Sequence, residues 1–432
     1  MKALIRLQRL AAPLTLAQLA FAGNTFVTNF FLAQSSTKAL NAALPGSLLA
    51  TTVTLFLSAS LGYSGTILAR RHGAGDFAGA RAIFRIALLT TLGAIPLLAL
   101  ACPLGHFILA CFNTSADVLQ AETAYFDRLL VNGFVTTLAT VLAGYFTGQG
   151  RTRFTGLVTV LGCVINMALA PVFILGTLPA PFQGISGAAW ATTLANLVPC
   201  LIFAATILCQ PLSAPSAPLS RKDLHELLRL GLPNGLRIVI DVGGFFLFVA
   251  ILGECEVPAV AASAAAFALN GLFQAFPNGL AQGLEINVSR NHSDPRLPQH
   301  NLVRATILSL VYMCVFALVL LFFGKQTLFA FGSQTDSIVF ERTASLLLLI
   351  LAGKALLESA VLLLQAYLRG LGRTAETSRC QFIASILFWI PLFLSVRILE
   401  PSIPTLWLTM PACSLVNIIL LKRTLSRANQ NA

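Results

Sequence analysis

The chain has 432 residues, of which 56% are hydrophobic and 10% charged, and it carries a formal net charge of +12. A soluble domain carries about 25% charged residues, so there is too little polar surface here to face water all round, and an ordinary soluble enzyme or binding module is excluded. The positive excess is not a nucleic-acid patch, because basic residues flank the apolar runs and gather between alternate ones, the positive-inside pattern of a membrane protein.

Runs without Asp, Glu, Lys or Arg cover 10–37, 39–69, 86–116, 129–150, 257–284, 305–324 and 401–421. About 20 apolar residues span the hydrocarbon core as a helix. Backbone groups in lipid must bond internally, which leaves helix or closed barrel. The runs are rich in Leu and Ala without strand alternation, so they predict an all-α integral membrane protein. In chain order the spans fall near 10–33, 40–68, 86–111, 129–149, 155–176, 187–209, 230–252, 258–286, 305–324, 344–367, 380–396 and 403–421. The first follows Lys2, Arg6 and Arg9 like a signal peptide, but its apolar run exceeds the roughly 7–15-residue core of one. It is read as an uncleaved span. Fifth and sixth spans divide at a turn between Gly176 and Gly184. Ser213-Ala-Pro-Ser-Ala-Pro218 reads as a linker, followed by a short amphipathic stretch, Arg221–Leu230.

Of the 28 Lys and Arg residues, 21 fall on the side of the two termini and five on the other. That split predicts an even number of spans, with both termini cytoplasmic in an inner (plasma) membrane. The halves also resemble each other. Leu7–Pro13 matches Leu227–Pro233 at an offset of 220, and Gly148-Gln-Gly-Arg-Thr152 matches Gly370-Leu-Gly-Arg-Thr374 at 222. Six spans per half make the repeat parallel, about an axis along the membrane normal. The predicted organisation is therefore a six-helix bundle over 1–212, a cytoplasmic linker over 213–229 and a second bundle over 230–432. Two bundles that rock about a cleft would give alternating access, which points to a transporter.

Ionisable groups inside a span usually mark a pathway or relay. Five Asp, Glu, Lys or Arg residues lie inside the predicted spans: Arg237 and Asp241, Glu285, and Lys354 and Glu358. The two pairs are each four residues apart, on one helix face. In one reading Asp241 and Glu358 face a cavity and bind H⁺ or Na⁺ in exchange for substrate. In the other, each pair is a static salt bridge. Arg237, Lys354 and Glu285 stand as modulators of the two acids. The first bundle has no carboxylate in its spans, only polar groups such as Asn24, Thr28, Asn29, Asn132 and Asn166. These are candidates for an uncharged site, or for stitching helices together. Phe245, Phe246, Phe267, Phe273 and Phe276 could offer π faces to a cation or simply pack. The nine cysteines and five histidines read as scattered, with no CxxC and no Cys/His group at zinc spacing. There is no G-x-S-x-G, HExxH or Walker lysine, so an ion gradient is the expected energy source.

Several short elements, taken in order, resemble the multidrug and toxic compound extrusion (MATE) family. They are Gly73-Ala-Gly-Asp76, Gly148-Gln-Gly-Arg-Thr152, Asn166, Gly184-Ile-Ser-Gly-Ala-Ala189, Gly231-Leu-Pro233, Phe276-Pro277 and Leu368-Arg-Gly370. The resemblance runs over nearly the whole length. It implies twelve helices in two six-helix lobes and Na⁺- or H⁺-driven export of cationic drugs, with no cofactor beyond the ion. It also implies coupling positions. Members of the NorM type have acids eight residues after the Pro of Gly-Leu-Pro and ten before the Leu of Leu-Arg-Gly, which here are Asp241 and Glu358. The chain departs from the family in its first half, where Thr28 and Ala170 stand in place of acids, and Arg237 and Lys354 lie outside the pattern. The expectation is a monomeric antiporter in the lipid bilayer, with small organic cations as substrates. A flippase for a lipid-linked or amphiphilic metabolite is the alternative. A membrane transferase would need a catalytically equipped loop, and the loops here are short.

Overall fold

The computed structural model describes residues 2–35, 37–110, 116–176, 182–209, 218–252, 257–291, 296–331, 338–396 and 403–430. Among them are fourteen helical segments and no strand: α1 (Lys2–Ser35), α2 (Thr37–Gly62), α3 (Ser64–Gly73), α4 (Phe77–Gly93), α5 (Ile95–Ala110), α6 (Ala116–Gly148), α7 (Thr152–Leu175), α8 (Gly184–Leu208), α9 (Arg221–Leu252), α10 (Val257–Arg290), α11 (Arg296–Phe331), α12 (Ile338–Gly370), α13 (Thr374–Val396) and α14 (Ile403–Gln430). α2 and α3 form one rod interrupted at Tyr63. α4 and α5 form another, interrupted at Ala94 just before Pro96, which has no N–H to continue the ladder. Twelve rods result, as the hydropathy pattern predicts.

The rods are longer than the apolar runs. Asp76 caps α4 by accepting from Gly79 N at 2.8 Å, so Arg81 and Arg85 lie on a helix rather than in a loop. Arg221–Leu230 is no separate surface helix but the start of α9, with Gly231-Leu-Pro233 inside it. Arg71 of α3 anchors that start, bonding Asp223 Oδ1 at 2.6 Å and Glu226 Oε2 at 2.5 Å. Glu122, outside the predicted spans, lies on α6 and is buried.

Membrane exposure shows as stripes of apolar side chains facing outward. On α5 these are Leu97, Leu100, Leu104 and Phe107, and on α11 Val303, Ile307, Val311, Val315, Leu318 and Phe322. Their three- and four-residue spacing marks one helix face each. The opposite face of α11 buries Ala305, Met313, Phe316 and Leu320. Exposed stripes of this size are stable in lipid and not in water. Nine stretches among the described residues are long and apolar enough to cross a membrane.

The internal repeat is visible in the backbone. Gly150 and Gly372 have φ of 83° and 82°, a region that favours glycine. Gly150 N bonds Thr147 O and Arg151 N bonds Phe146 O; Gly372 N bonds Arg369 O and Arg373 N bonds Leu368 O. Each turn then delivers a buried threonine, Thr152 or Thr374, whose carbonyl accepts from the hydroxyl three residues on, Thr155 or Thr377.

The chain divides into two units. One holds Leu19–Leu236 with Ser289–Asn291, the other Met1–Gln18, Arg237–Val288 and His292–Ala432. These differ from the sequence halves 1–212 and 230–432 because the opening turns of α1 and α9 pack elsewhere. A Cβ on Gly279 of α10 would meet Thr15 Cα at 2.3 Å, and one on Gly283 would meet Ala11 Cα at 2.9 Å. In the other unit, a Cβ on Gly231 of α9 would meet Ser60 O at 2.2 Å. Within that unit α6 packs on α2 and α8. Its Gly144-x₃-Gly148 edge lets α3 approach so closely that a Cβ on Gly65 would lie 2.9 Å from Gly144 Cα. In the second unit α12 packs on α11 and α14, over a core that includes Phe248, Met313, Phe316, Leu351 and Trp407. Trp407 Nε1 is satisfied by Ser263 Oγ at 3.0 Å.

Candidate functional site

The second unit has a half-open cavity of about 250 Å³ between α9, α12, α13 and α14. Helical spacing sets its lining. Arg237, Asp241 and Phe245 recur every fourth residue on α9, and Gln381, Ser385 and Trp389 do so on α13. α12 contributes Lys354, Glu358 and Gln365, and α14 contributes Asn417. Both acids singled out in the sequence therefore reach one chamber.

Both also meet the base one turn earlier. Arg237 Nη1 lies 2.7 Å from Asp241 Oδ2, and Lys354 Nζ bonds Glu358 Oε2. The members of each pair are unequally placed. The side chains of Asp241 and Glu358 are 37% and 33% exposed, those of Arg237 and Lys354 only 11% and 9%. All four line the cavity, the cations as the more buried members and the carboxylates as the more exposed.

Amides complete the network. Arg237 Nη1 also donates to Gln365 Oε1 at 3.1 Å, and Gln365 Nε2 donates to Gln381 Oε1 at 3.0 Å. Gln381 Oε1 also accepts from Asn417 Nδ2. A chain of bonds thus runs Asp241, Arg237, Gln365, Gln381, Asn417. Gln274 of α10 donates to Glu358 Oε2 at 2.8 Å. Arg237 Nε is buried without a hydrogen-bond partner among the described residues. Glu285 lies apart from the cavity lining, in a buried pair with Arg369 Nε at 2.9 Å. It ties α10 to α12 rather than reaching water at a helix end.

Of the aromatics, Phe245 lines the cavity and is 40% exposed. Phe273 stacks on Phe316 and Phe276 on Tyr312, so both serve packing. The side chains of Phe246 and Phe267 lie outside the described residues, as does that of Asn29.

The first unit offers no charged counterpart among its described candidates. Asn196 Nδ2 of α8 donates to Asn132 Oδ1 at 3.0 Å and Thr136 Oγ1 at 3.1 Å, stitching α8 to α6. Asn166 of α7 donates to Thr192 of α8 at 3.2 Å. Asn24 is buried and Thr28 half-buried. The Oδ1 atoms of Asn24 and Asn166 have no partner among the described residues. Ala170, where the resemblance places an acid, is fully buried against Ile174, Ala188 and Phe31.

One negative reading needs correction. Cys102 and His106 are not isolated: they lie four apart on α5 and both meet Asp127 of α6. The spacing is legible, but Asp127 falls two residues before the predicted fourth span and so reads as a loop residue.

The sequence matches the family model described as MatE over residues 13–172 and 233–394. Over 302 residues it is 29% identical to a protein of Pseudomonas aeruginosa named Probable multidrug resistance protein NorM, covering 67% of this chain and 60% of that protein. Over 331 residues it is 26% identical to Multidrug resistance protein PmpM of the same organism, covering 73% and 68%. The chain thus aligns with less than two thirds of the length of that NorM protein. Its fold is similar to that of a crystal structure of MATE in complex with MaL6, with a TM-score of 0.87 and 20% identity over 99% of this chain and 97% of that one. It is also similar to a MOP superfamily transporter from Pyrococcus furiosus, with a TM-score of 0.85 and 18% identity over 98% and 96%.

Proposed function

The chain belongs to the MatE family, and we propose that it is a membrane transporter, not an enzyme, that exports small organic, chiefly cationic compounds in exchange for H⁺ or Na⁺. One observation carries the reading: two carboxylates line a cavity inside an apolar bundle, each more exposed than the cation that pairs with it there. Keeping charges at such depth costs free energy. With all four groups ionised the chamber is formally neutral, and its carboxylates are the members more accessible to a bound cation. Protonation of either acid makes the chamber net positive and expels that cation. A second proton raises the positive charge further, and release of the protons restores neutrality.

The pairs favour H⁺ over Na⁺ as the coupling ion. Glu358 Oε2 already accepts from Lys354 and Gln274, and Asp241 Oδ2 from Arg237. A metal ion would have to displace an existing cation, whereas a proton needs only one oxygen. On this reading the protein works as a monomer in the inner membrane with both termini cytoplasmic. The neutral, fully paired chamber also suits the second reading, export of an amphiphilic or lipid-linked metabolite that needs no charge complement.

The test is transport of a fluorescent cation in proteoliposomes under imposed H⁺ or Na⁺ gradients. Gradient-driven transport is expected in the wild type and absent from the Asp241→Asn/Glu358→Gln double variant. A double variant that transports as well as the wild type overturns the assignment. Activity toward amphiphiles alone establishes the second reading.

A further inference from the structure

Outside the chamber, one cluster has the composition of a metal centre. Cys102 and His106 share a face of α5 one turn apart, the spacing by which two ligands on one helix reach one ion. Asp127 of α6 completes the group: its Oδ1 accepts from Cys102 Sγ at 2.8 Å and lies 2.8 Å from His106 Nε2. The three donor atoms are all within 4.8 Å of one another. A tetrahedral ion bonded at about 2.0–2.3 Å separates its ligands by about 3.3–3.8 Å, so side-chain movements of well under a rotamer change would seat one.

The scaffold fixes this geometry. Gly105, between the two α5 ligands, lies against the ring of Phe126, the residue preceding Asp127. A Cβ there would meet that ring at 2.3 Å, so only glycine lets α5 come this close. The His106 ring meets Phe126 edge-on, with centroids 6.3 Å apart and planes at 66°, which orients the imidazole. The His106 and Asp127 side chains are each 41% exposed, which leaves room for water as a fourth ligand and a path for entry. The site lies toward the end of α5 away from Arg81 and Arg85, one turn before Ala110.

We propose that Cys102, His106 and Asp127 form a binding site for a borderline divalent transition ion, Zn²⁺ foremost, which clips α5 to α6. The mixed S, N, O donor set suits Zn²⁺ and its neighbours rather than Mg²⁺ or Ca²⁺. On binding, the Cys102 thiol loses its proton to solvent and Sγ takes the metal. Neutral His106 binds through Nε2, and the Asp127 carboxylate exchanges its two hydrogen-bond partners for the ion. Affinity therefore rises with pH.

The experiment uses full-length, untagged protein, reduced and stripped with chelator, titrated with Co²⁺ and followed by absorbance. One equivalent is expected to bind with a thiolate-to-cobalt charge-transfer band that Zn²⁺ displaces. Each of Cys102→Ser, His106→Ala and Asp127→Asn should weaken Zn²⁺ binding by at least about tenfold. Asp127→Asn preserves shape and decides the matter if the others fail to fold. Absence of the charge-transfer band in folded wild type, or an unchanged band and affinity in the Asp127→Asn protein, overturns the proposal.

Discussion

In the first unit the candidate polar groups and their partners are amides and hydroxyls, Asn132, Thr136, Asn166, Thr192 and Asn196, with Glu122 a buried acid outside them, whereas the cavity of the second is built on ion pairs, Arg237–Asp241 and Lys354–Glu358. The two units nonetheless share a turn down to its hydrogen bonds, with glycine at φ near 83° in both. What the repeat preserves is backbone geometry, because a left-handed position tolerates glycine and little else. Side-chain chemistry is free to diverge, because a polar residue inside a bundle needs only one local partner. Asymmetry of function is therefore compatible with symmetry of fold.

Neutralising both acids, Asp241→Asn with Glu358→Gln, should produce the largest effect, reducing gradient-driven transport to that of protein-free vesicles. Asn24→Ala with Asn166→Ala should leave most of it, and equal loss in the two double variants, measured by the same flux assay, would erase the distinction between the units. Next comes Arg237→Met, which strips Asp241 of its buried partner. Breaking a fully buried pair costs about 3–5 kcal/mol, and the partial exposure of Asp241 lowers this to about 2 kcal/mol. Thermal unfolding in detergent should show the loss, and adding Asp241→Asn should recover part of it.

The shared turn gives the third comparison. Gly150→Ala and Gly372→Ala should each cost about 1–2 kcal/mol in the same unfolding assay, from the left-handed backbone alone. Gly150→Ala should cost the more of the two when Arg290 cannot swing aside, because a Cβ at Gly150 would fall 1.8 Å from Arg290 Nη1. Smallest is Asn196→Ala, which removes one interhelical amide bridge worth about 0.6 kcal/mol. A cost well above that would mark the Asn132–Asn196 pair as more than a stitch.

Much of this was legible in the sequence because charge is so scarce. With 10% charged residues, each acid in an apolar run stands out, and Asp241 and Glu358 do reach one cavity. The same contrast hid the rest. Gln274, Gln365, Gln381 and Asn417 are uncharged, so nothing in hydropathy separates them from ordinary polar packing, yet they extend the network around both acids. Gln365 sits seven residues beyond Glu358, on the same face of α12, and that spacing was the available signal. Charge also blurs the span ends: Glu122 and Asp127 read as loop residues in the sequence, while α6 runs from Ala116 to Gly148. The interruptions at Tyr63 and Ala94 left no run-length signature, since apolar residues continue across both.

Ala11 and Thr15 seat Gly283 and Gly279 of α10, and Ser60 seats Gly231 of α9, so the first helix of each half begins inside the other half's unit. This is the topology of an exchanged dimer written into one polypeptide, with the linker keeping each loaned segment at high local concentration. A gene severed at that linker would yield two products with empty glycine grooves. Each would be expected to mature only when its counterpart is synthesised into the same bilayer.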